Sequence, residues 1–335
     1  MRPPTSPTGS TAEPGPAGAS ALDWAAARLH ELGTPLAGEP RQVKHRPWST
    51  VHRLPITGGV VWLKACGGRT GYEAPLVAAL AAWVPDLVVT PLATDDERGW
   101  LLLPDGGTPL REHPEGADPR VWQRFVAEHA GLQRAVAPRA EDLLKLGVPD
   151  QRPAALPALL ERLLQDVPLA SAERTALRRV VPRFADACAE LGHAGPAATI
   201  QHDDLHAGNV LAGCDGARSD RFFDWGDAAV AHPFTTLLVT LRSMAATLDL
   251  APDDPALRRT RDAYLEAWDL TGPGALRLAR LAAWTGSVGR ALAWQRALAG
   301  ATEENACPWA GAVAGWLAQL LEPGPAWFGS TTDLR

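Results

Sequence analysis

The side chains best equipped for chemistry fall within residues 199–226, in T-I-Q-H-D-D-L-H-A-G-N-V-L-A-G and, after a polar turn, R-F-F-D-W-G. An apolar approach ends in His202, Asp203, Asp204, Leu205 and His206, and Asn209 stands five residues beyond Asp204. Short apolar runs at residues 210–212 and 222–223 flank a turn rich in Gly, Asp and Ser. Two strands joined by that turn bring Asn209 and Asp224 to one end of a hairpin, with Asp204 beside them. A carboxylate that accepts or orients a hydroxyl proton, with an amide and a second carboxylate as oxygen ligands for a hard cation, suits metal-dependent chemistry on a phosphate.

The spacing narrows this. His202-x-Asp204-Leu205-x-x-x-Asn209 fits the kinase catalytic-loop pattern H-x-D-L-x-x-x-N at each defined position, and Asp224-Trp225-Gly226 follows in the slot of the D-F-G metal ligand. Taken singly, these residues are ordinary turn formers or caps. Their joint spacing carries the reading.

The elements that position them must come from a chain of 335 residues, long enough for two lobes with separate cores. A net charge of −6 argues against a nucleic-acid polymer as partner. Cys66, Cys188, Cys214 and Cys307 are far apart, with no C-x-x-C pair, so neither a disulfide framework nor a zinc knuckle is expected. A reducing, cytoplasmic setting is the default. No apolar run approaches a membrane span, and no basic segment followed by an apolar one marks a signal peptide. Residues 1–20, rich in Pro, Gly, Ser and Thr, read as a disordered tail, and residues 326–335 as a C-terminal tail.

Residues 21–104 read as a small β-rich lobe. Leu22, Ala25, Ala26, Leu29 and Leu32 form a helical stripe closed by Gly33. Runs at residues 51–56 and 60–65 flank Thr57-Gly58-Gly59, a hairpin signal. The second run alternates, so Lys64 faces away from Leu63. Gly67-Gly68 precedes a helix over residues 70–83 with Glu73 in its first turn, and a strand lysine with a helix glutamate is the pair that positions ATP phosphates in kinases. Further strands at residues 87–90 and 100–103 complete a five-stranded antiparallel sheet. Pro104-Asp105-Gly106-Gly107 is suited to a hinge, where Leu103 and Asp105 would flank a nucleotide base. Residues 105–325 are mainly helical. Asp118 caps a helix opened by Pro119, with Trp122, Phe125, Val126, His129, Leu132 and Val136 on one face.

The ordered set of Lys64, Glu73, the hinge, H-D-D-L-H-A-G-N-V-L and F-D-W-G-D resembles the aminoglycoside phosphotransferase family, a branch of the protein-kinase-like fold that also holds choline-kinase-like enzymes. His206 and Trp225 stand where protein kinases carry Arg or Lys and Phe, which favours the small-molecule branch. The resemblance implies a two-lobed α+β fold and transfer of the ATP γ-phosphoryl group to a small hydroxyl-bearing substrate. It implies Asp204 as catalytic base, Asn209 and Asp224 as Mg2+ ligands, and Lys64, held by Glu73, on the α- and β-phosphates. His202 would be architectural. Three departures from the family pattern matter, one being that His232-Pro233-Phe234-Thr235-Thr236 stands where the family often carries an Asp about ten residues after the D-W-G. Asp203 replaces the usual glycine, and no G-x-G-x-x-G loop covers the phosphates, where Ser49, Thr50 and backbone N–H groups of residues 46–51 would serve instead.

Two other readings remain open. One is a catalytically weak kinase-fold protein that binds a ligand. The other is a metal-dependent hydrolase built on the His202-Asp203 dyad with His206 and Asp224. Asp262, Glu266, Asp269, Glu303 and Glu304 either line a pocket for a cationic substrate or form a solvated helix face, and the second reading is preferred.

Overall fold

The computed structural model describes residues 16–213, 219–322, 324 and 327. Helix α1 (Pro16–Glu31) leads into strands β1 (Arg41–Arg46), β2 (Ser49–Ile56) and β3 (Gly59–Cys66), followed by α2 (Glu73–Trp83), β4 (Ala93–Asp95) and β5 (Trp100–Pro104). The five strands form one antiparallel sheet in the order β1-β2-β3-β5-β4.

Alternation along the strands decides what each face carries. Leu63 pairs with Leu102, and both pack with Leu54, Val61 and Trp100 against Ala21, Ala25 and Leu29 of α1. Lys64 pairs with Leu101, which turns to the other face and joins Leu76, Val77 and Leu80 of α2 in the larger core. Lys64 is thereby aimed at the helix that begins with Glu73.

Three expectations shift. The first helix begins at Pro16, so residues 16–20 are helical and only residues 1–15 of the expected tail lie outside the described residues. Residues 87–90 do not join the sheet, whose outer strand is β4. Val88 instead bridges to Phe222, and Phe222 N donates to Leu87 O at 2.8 Å. An apolar β-branched run fits either burial site, and composition alone does not choose between them. Of the expected C-terminal tail, Trp327 is described, and it is buried in the larger core. The rest lies outside the described residues.

The helical lobe runs through α3 (Pro119–Val136), α4 (Ala140–Lys145), β6 (Asp150–Gln151), α5 (Leu156–Asp166), α6 (Ser171–Ala194), β7 (Thr199–Gln201), β8 (Val210–Leu211), β9 (Arg221–Phe222) and β10 (Ala229–Ala231). It closes with α7 (Thr236–Thr247), α8 (Pro255–Ala267), α9 (Gly272–Ala297), α10 (Glu303–Ala306) and α11 (Ala312–Ala318). Asp118 caps α3 as expected, accepting from Arg120 N at 2.8 Å ahead of Pro119. β8 and β9 form the expected hairpin, Val210 opposite Phe222. A small sheet that the sequence did not announce, β6-β10-β7, includes the strands that precede and follow the hairpin in the chain. Helix α9 is buried along most of its length, and its small residues permit close packing: Gly286 lies against Thr235. Among the described residues, no helix is long and apolar enough to cross a membrane.

Candidate active site

β7 pairs with β10, Ile200 opposite Val230, and residues 202–209 then leave the sheet as a loop that returns in β8. The loop is closed by its own backbone: Asn209 N donates to His206 O at 2.8 Å, and Gly208 N to His206 Nδ1 at 3.0 Å. His202 Nε2 donates to Phe223 O at 2.9 Å, tying the loop to the residue before Asp224. Trp225 packs underneath with its ring centroid 4.6 Å from that of His202. Asp203 and Asp224 both adopt left-handed backbone, with φ of 62° and 65°. Aspartate is among the few residues other than glycine that tolerate this region, so position 203 accepts a Cβ at modest cost.

Across the cleft, Lys64 Nζ donates to Glu73 Oε1 at 2.7 Å and to Asp224 Oδ1 at 2.5 Å. Lys44, from β1, stands 3.9 Å from Asp224 Oδ2. Asn209 Nδ2 donates to Asp204 O at 3.0 Å. With its amide nitrogen committed, its carbonyl oxygen is the atom left to meet a cation. One carboxylate, one amide oxygen and substrate phosphates are a suitable donor set for magnesium, which retains waters and needs no all-protein cage. Tyr72, just before α2, donates to Gly226 O at 2.7 Å and Ala228 O at 3.0 Å, clamping the turn after Asp224.

Charge inside the cleft sets the protonation states. Burial works against the Lys64 ammonium, but Asp224 and Glu73 outweigh it and hold its pKa well above the ordinary lysine value. Burial likewise works against ionised Asp204 and Asp224. His206 and Arg290 keep the first carboxyl well below the usual range, and Lys64 and Lys44 the second. Asp203 behaves differently: burial pushes it up to about 7, against the pull of Arg290.

Two cavities meet at this cluster. The larger, about 560 Å3, is walled by Val43, Val51, Val89, Leu103, Leu211 and Phe223, has the hinge backbone of residues 104–107 along one edge, and reaches Lys64 and Asp224 at its inner end. The smaller, about 150 Å3, contains Lys64, Asp204, Asp224, Asp227 and Arg290 under Trp48 and Trp294. The first is shaped for an apolar ring carrying a charged tail, the second for the end of that tail and a compact partner.

Lys64, Glu73, Asp204, Asn209 and Asp224 are thus brought together, and Leu103 and Asp105 line the larger cavity. The Asp105 side chain also accepts from Gly107 N at 3.2 Å, fixing the hinge turn. Ser49 and Thr50 do not line either cavity. Ser49 is buried in register with Cys66, and Thr50 Oγ1 bonds His45 Nδ1 at 3.0 Å. A strand that begins at Ser49 points those side chains into the sheet and its edge, leaving Trp48 at the turn to face the cleft. Asp262 pairs with Arg261 and Asp269 with Arg134, and none of the five acidic residues of the later helices lines either cavity. The His202-Asp203 dyad does not converge on a metal position. His202 is committed to Phe223 O, and Asp203 lies beside Arg290. Among the described residues, no three His, Cys, Asp or Glu side chains are placed to hold a metal ion.

Sequence reasoning missed Lys44, Tyr72 and Arg290. A lysine on an edge strand and an arginine midway along a helix carry no spacing signature. The arginine is separated from its partners by more than sixty residues.

Residues 69–279 match the model of the phosphotransferase enzyme family. No curated protein matches the chain. Among solved structures, the GDP complex of aminoglycoside 2'-phosphotransferase-IIIa superposes with a TM-score of 0.57 at 13% identity, covering 90% of this chain and 97% of that one. Macrolide 2'-phosphotransferase type I gives 0.55 at 18%, covering 92% and 98%. A choline/ethanolamine kinase family protein from Mesorhizobium loti gives 0.55 at 15%, covering 90% and 95%. At these identities the likeness is one of fold: two lobes, an antiparallel sheet in one and helices in the other.

Proposed function

The chain belongs to the phosphotransferase enzyme family, and from that premise we propose that it transfers the γ-phosphoryl group of ATP, with magnesium, to a hydroxyl of a small molecule. The observation that carries this reading is Lys64 Nζ, fixed between Glu73 and Asp224 where the two cavities meet, with Asp204 in the smaller one. The nucleotide side is assigned to residues 21–104 and the acceptor side to residues 105–325.

The adenine ring enters the larger cavity between Val51 and Leu211 and meets the backbone of the hinge. Lys64 grips the α- and β-phosphates, and Glu73 keeps its ammonium aimed. The Asn209 side-chain carbonyl and Asp224 would hold magnesium, which would supply neutralisation of the phosphate charge. Asp204 stays ionised at any working pH. It is therefore a weak base in the ground state, and it acts by orienting the acceptor hydroxyl and taking its proton as the O–P bond forms. The bond from the γ-phosphorus to the bridging oxygen breaks, and ADP leaves with that electron pair. His206 Nε2, 3.5 Å from Asp204 Oδ2, positions the carboxylate.

The neighbours in fold are named for acceptors as different as aminoglycosides, macrolides and choline or ethanolamine. The acceptor class here is accordingly a small hydroxyl compound. Two measurements test the proposal: thermal stabilisation by Mg-ATP, and ATP consumption across a panel of hydroxyl compounds. Stabilisation by panel members with none by Mg-ATP would sink it in favour of a ligand-binding protein. That second reading draws on Trp48, which packs where a flexible glycine-rich loop would otherwise lie.

A further inference from the structure

Arg290 projects from α9 into the smaller cavity with only 5% of its side chain exposed. Its Nη1 donates to Asp203 O at 2.7 Å and to Asp227 Oδ2 at 2.8 Å. Its Nη2 lies 3.6 Å from Asp204 Oδ1, an ion-pair separation too long for a hydrogen bond. One end of the fork is therefore anchored, and the other faces the residue assigned to the acceptor proton.

Stability alone does not account for this arrangement. A buried arginine–carboxylate cluster costs much of its Coulombic gain in desolvation, and apolar residues of similar volume would serve the fold as well. Asp203 adds a left-handed backbone to that cost. A cation beside Asp204 also makes it a poorer base. The placement makes sense if negative charge arrives and redistributes at that spot.

Resting on the phosphotransferase reading, we propose that Arg290 is a catalytic residue whose Nη2 donates to an oxygen of the transferring phosphoryl group, and that Asp203 and Asp227 are positioning residues that hold its guanidinium. The planar fork suits this: two donors on Nη1 are spent on the anchor, and those on Nη2 remain for phosphate oxygens. Electrostatic stabilisation of that kind acts where charge spreads over the equatorial oxygens. Asp203 holds the guanidinium through its backbone carbonyl, which glycine would offer equally, while its carboxylate lies 3.6 Å from Nη1 as a longer-range charge.

The test uses the full chain with Mg-ADP, alone and with aluminium fluoride, which mimics a phosphoryl group in flight. Wild type should gain a melting-temperature increment from aluminium fluoride beyond that of Mg-ADP. Arg290→Gln should keep the Mg-ADP shift, lose most of the increment, and slow basal ATP hydrolysis at least tenfold. Arg290→Lys retains a charge for Asp227 and guards against a variant that fails to fold. It should keep the Mg-ADP shift and recover only part of the increment. The assignment is overturned if the folded variants keep the full increment and rate, or if wild type responds to Mg-ADP but not to aluminium fluoride. A wild type that responds to neither overturns the phosphotransferase reading beneath it.

Discussion

Lys64 Nζ lies 2.5 Å from Asp224 Oδ1 across 160 residues of chain, and this contact joins the sheet to the end of the β8–β9 hairpin. The lysine also serves Glu73, whose side chain is only 3% exposed. Removing Lys64 strands a buried carboxylate. Lys64→Met should cost about 3–5 kcal/mol of stability, the usual penalty for breaking a buried pair from one side. The double variant Lys64→Met/Glu73→Gln should recover part of that loss. Urea midpoints measure both, and equal midpoints for the single and double variants would show that Glu73 finds another partner.

Asp204→Asn removes the proposed proton acceptor while leaving the Lys64–Asp224 contact untouched. Phosphoryl transfer should fall by about 10²–10⁴-fold, the span associated with general-base assistance, with Mg-ATP affinity changed by less than about threefold. Isothermal titration and a product assay separate the two effects. Retention of full transfer would remove Asp204 from its assigned role.

The hinge offers a steric test. A Cβ on Gly106 would stand 2.3 Å from Leu211 Cδ1, and Arg221 Nη2 already bonds Gly106 O at 2.9 Å from the other side of the hairpin. Gly106→Val therefore pushes the hinge away from β8 and narrows the larger cavity. Nucleotide KM should rise at least about tenfold while kcat changes little, the signature of lost uniform binding. An unchanged KM would place the nucleotide elsewhere.

How much of this was legible in the sequence depends on the range of each interaction. The loop at residues 202–209, the hairpin and the pairing of Lys64 with Glu73 follow from periodicity and short spacings, so they could be read before any coordinates. Ser49 and Thr50 could not be placed, because nothing in the sequence marks that β2 begins at Ser49 and takes both residues into the sheet opposite Cys66 and Ala65, out of the loop they were assigned to. The run at residues 87–90 was apolar enough for a sheet, yet it packs against the β8–β9 hairpin. Arg290 belongs to the longest-range class: nothing on α9 distinguishes it from the other arginines of that helix until Asp203, Asp204 and Asp227 surround it.

Trp48 sits at the β1–β2 turn with ring centroids 5.6 Å from Trp294 and 5.1 Å from Trp309, and Arg46 stacks over Trp309 at 5.6 Å. The β1–β2 turn, proposed to cover the phosphates, is thus fastened to the helical lobe by indole edges. Trp48→Ala should cost about 1–3 kcal/mol for two aromatic contacts and loosen the turn over the nucleotide. Mg-ATP should bind more weakly, and intrinsic fluorescence should shift to the red. A variant with wild-type affinity would show that the turn does not contribute to nucleotide grip.

The pH dependence of stability turns on buried histidines and on Asp203, which act in opposite senses. Burial lowers His232 to about 3 and His129 well below its ordinary value. The unfolded chain takes up protons near pH 6.5 that these folded rings refuse, so stability present above pH 6.5 drains away as the solution is acidified toward pH 3. Each such histidine contributes a slope of about 1.4 kcal/mol per pH unit. Asp203, raised to about 7, binds its proton more tightly when folded, and its contribution is lost as pH climbs from about 4 toward 7. His232 Nδ1 accepts from Phe234 N at 3.2 Å, a cap that an asparagine oxygen can replace, so His232→Asn should preserve the fold. Melting curves across pH 4–6.5 should show a flatter acid limb for His232→Asn and a steeper one for Asp203→Asn. Parallel limbs for wild type and His232→Asn would mean that His232 can take up a proton in the folded protein.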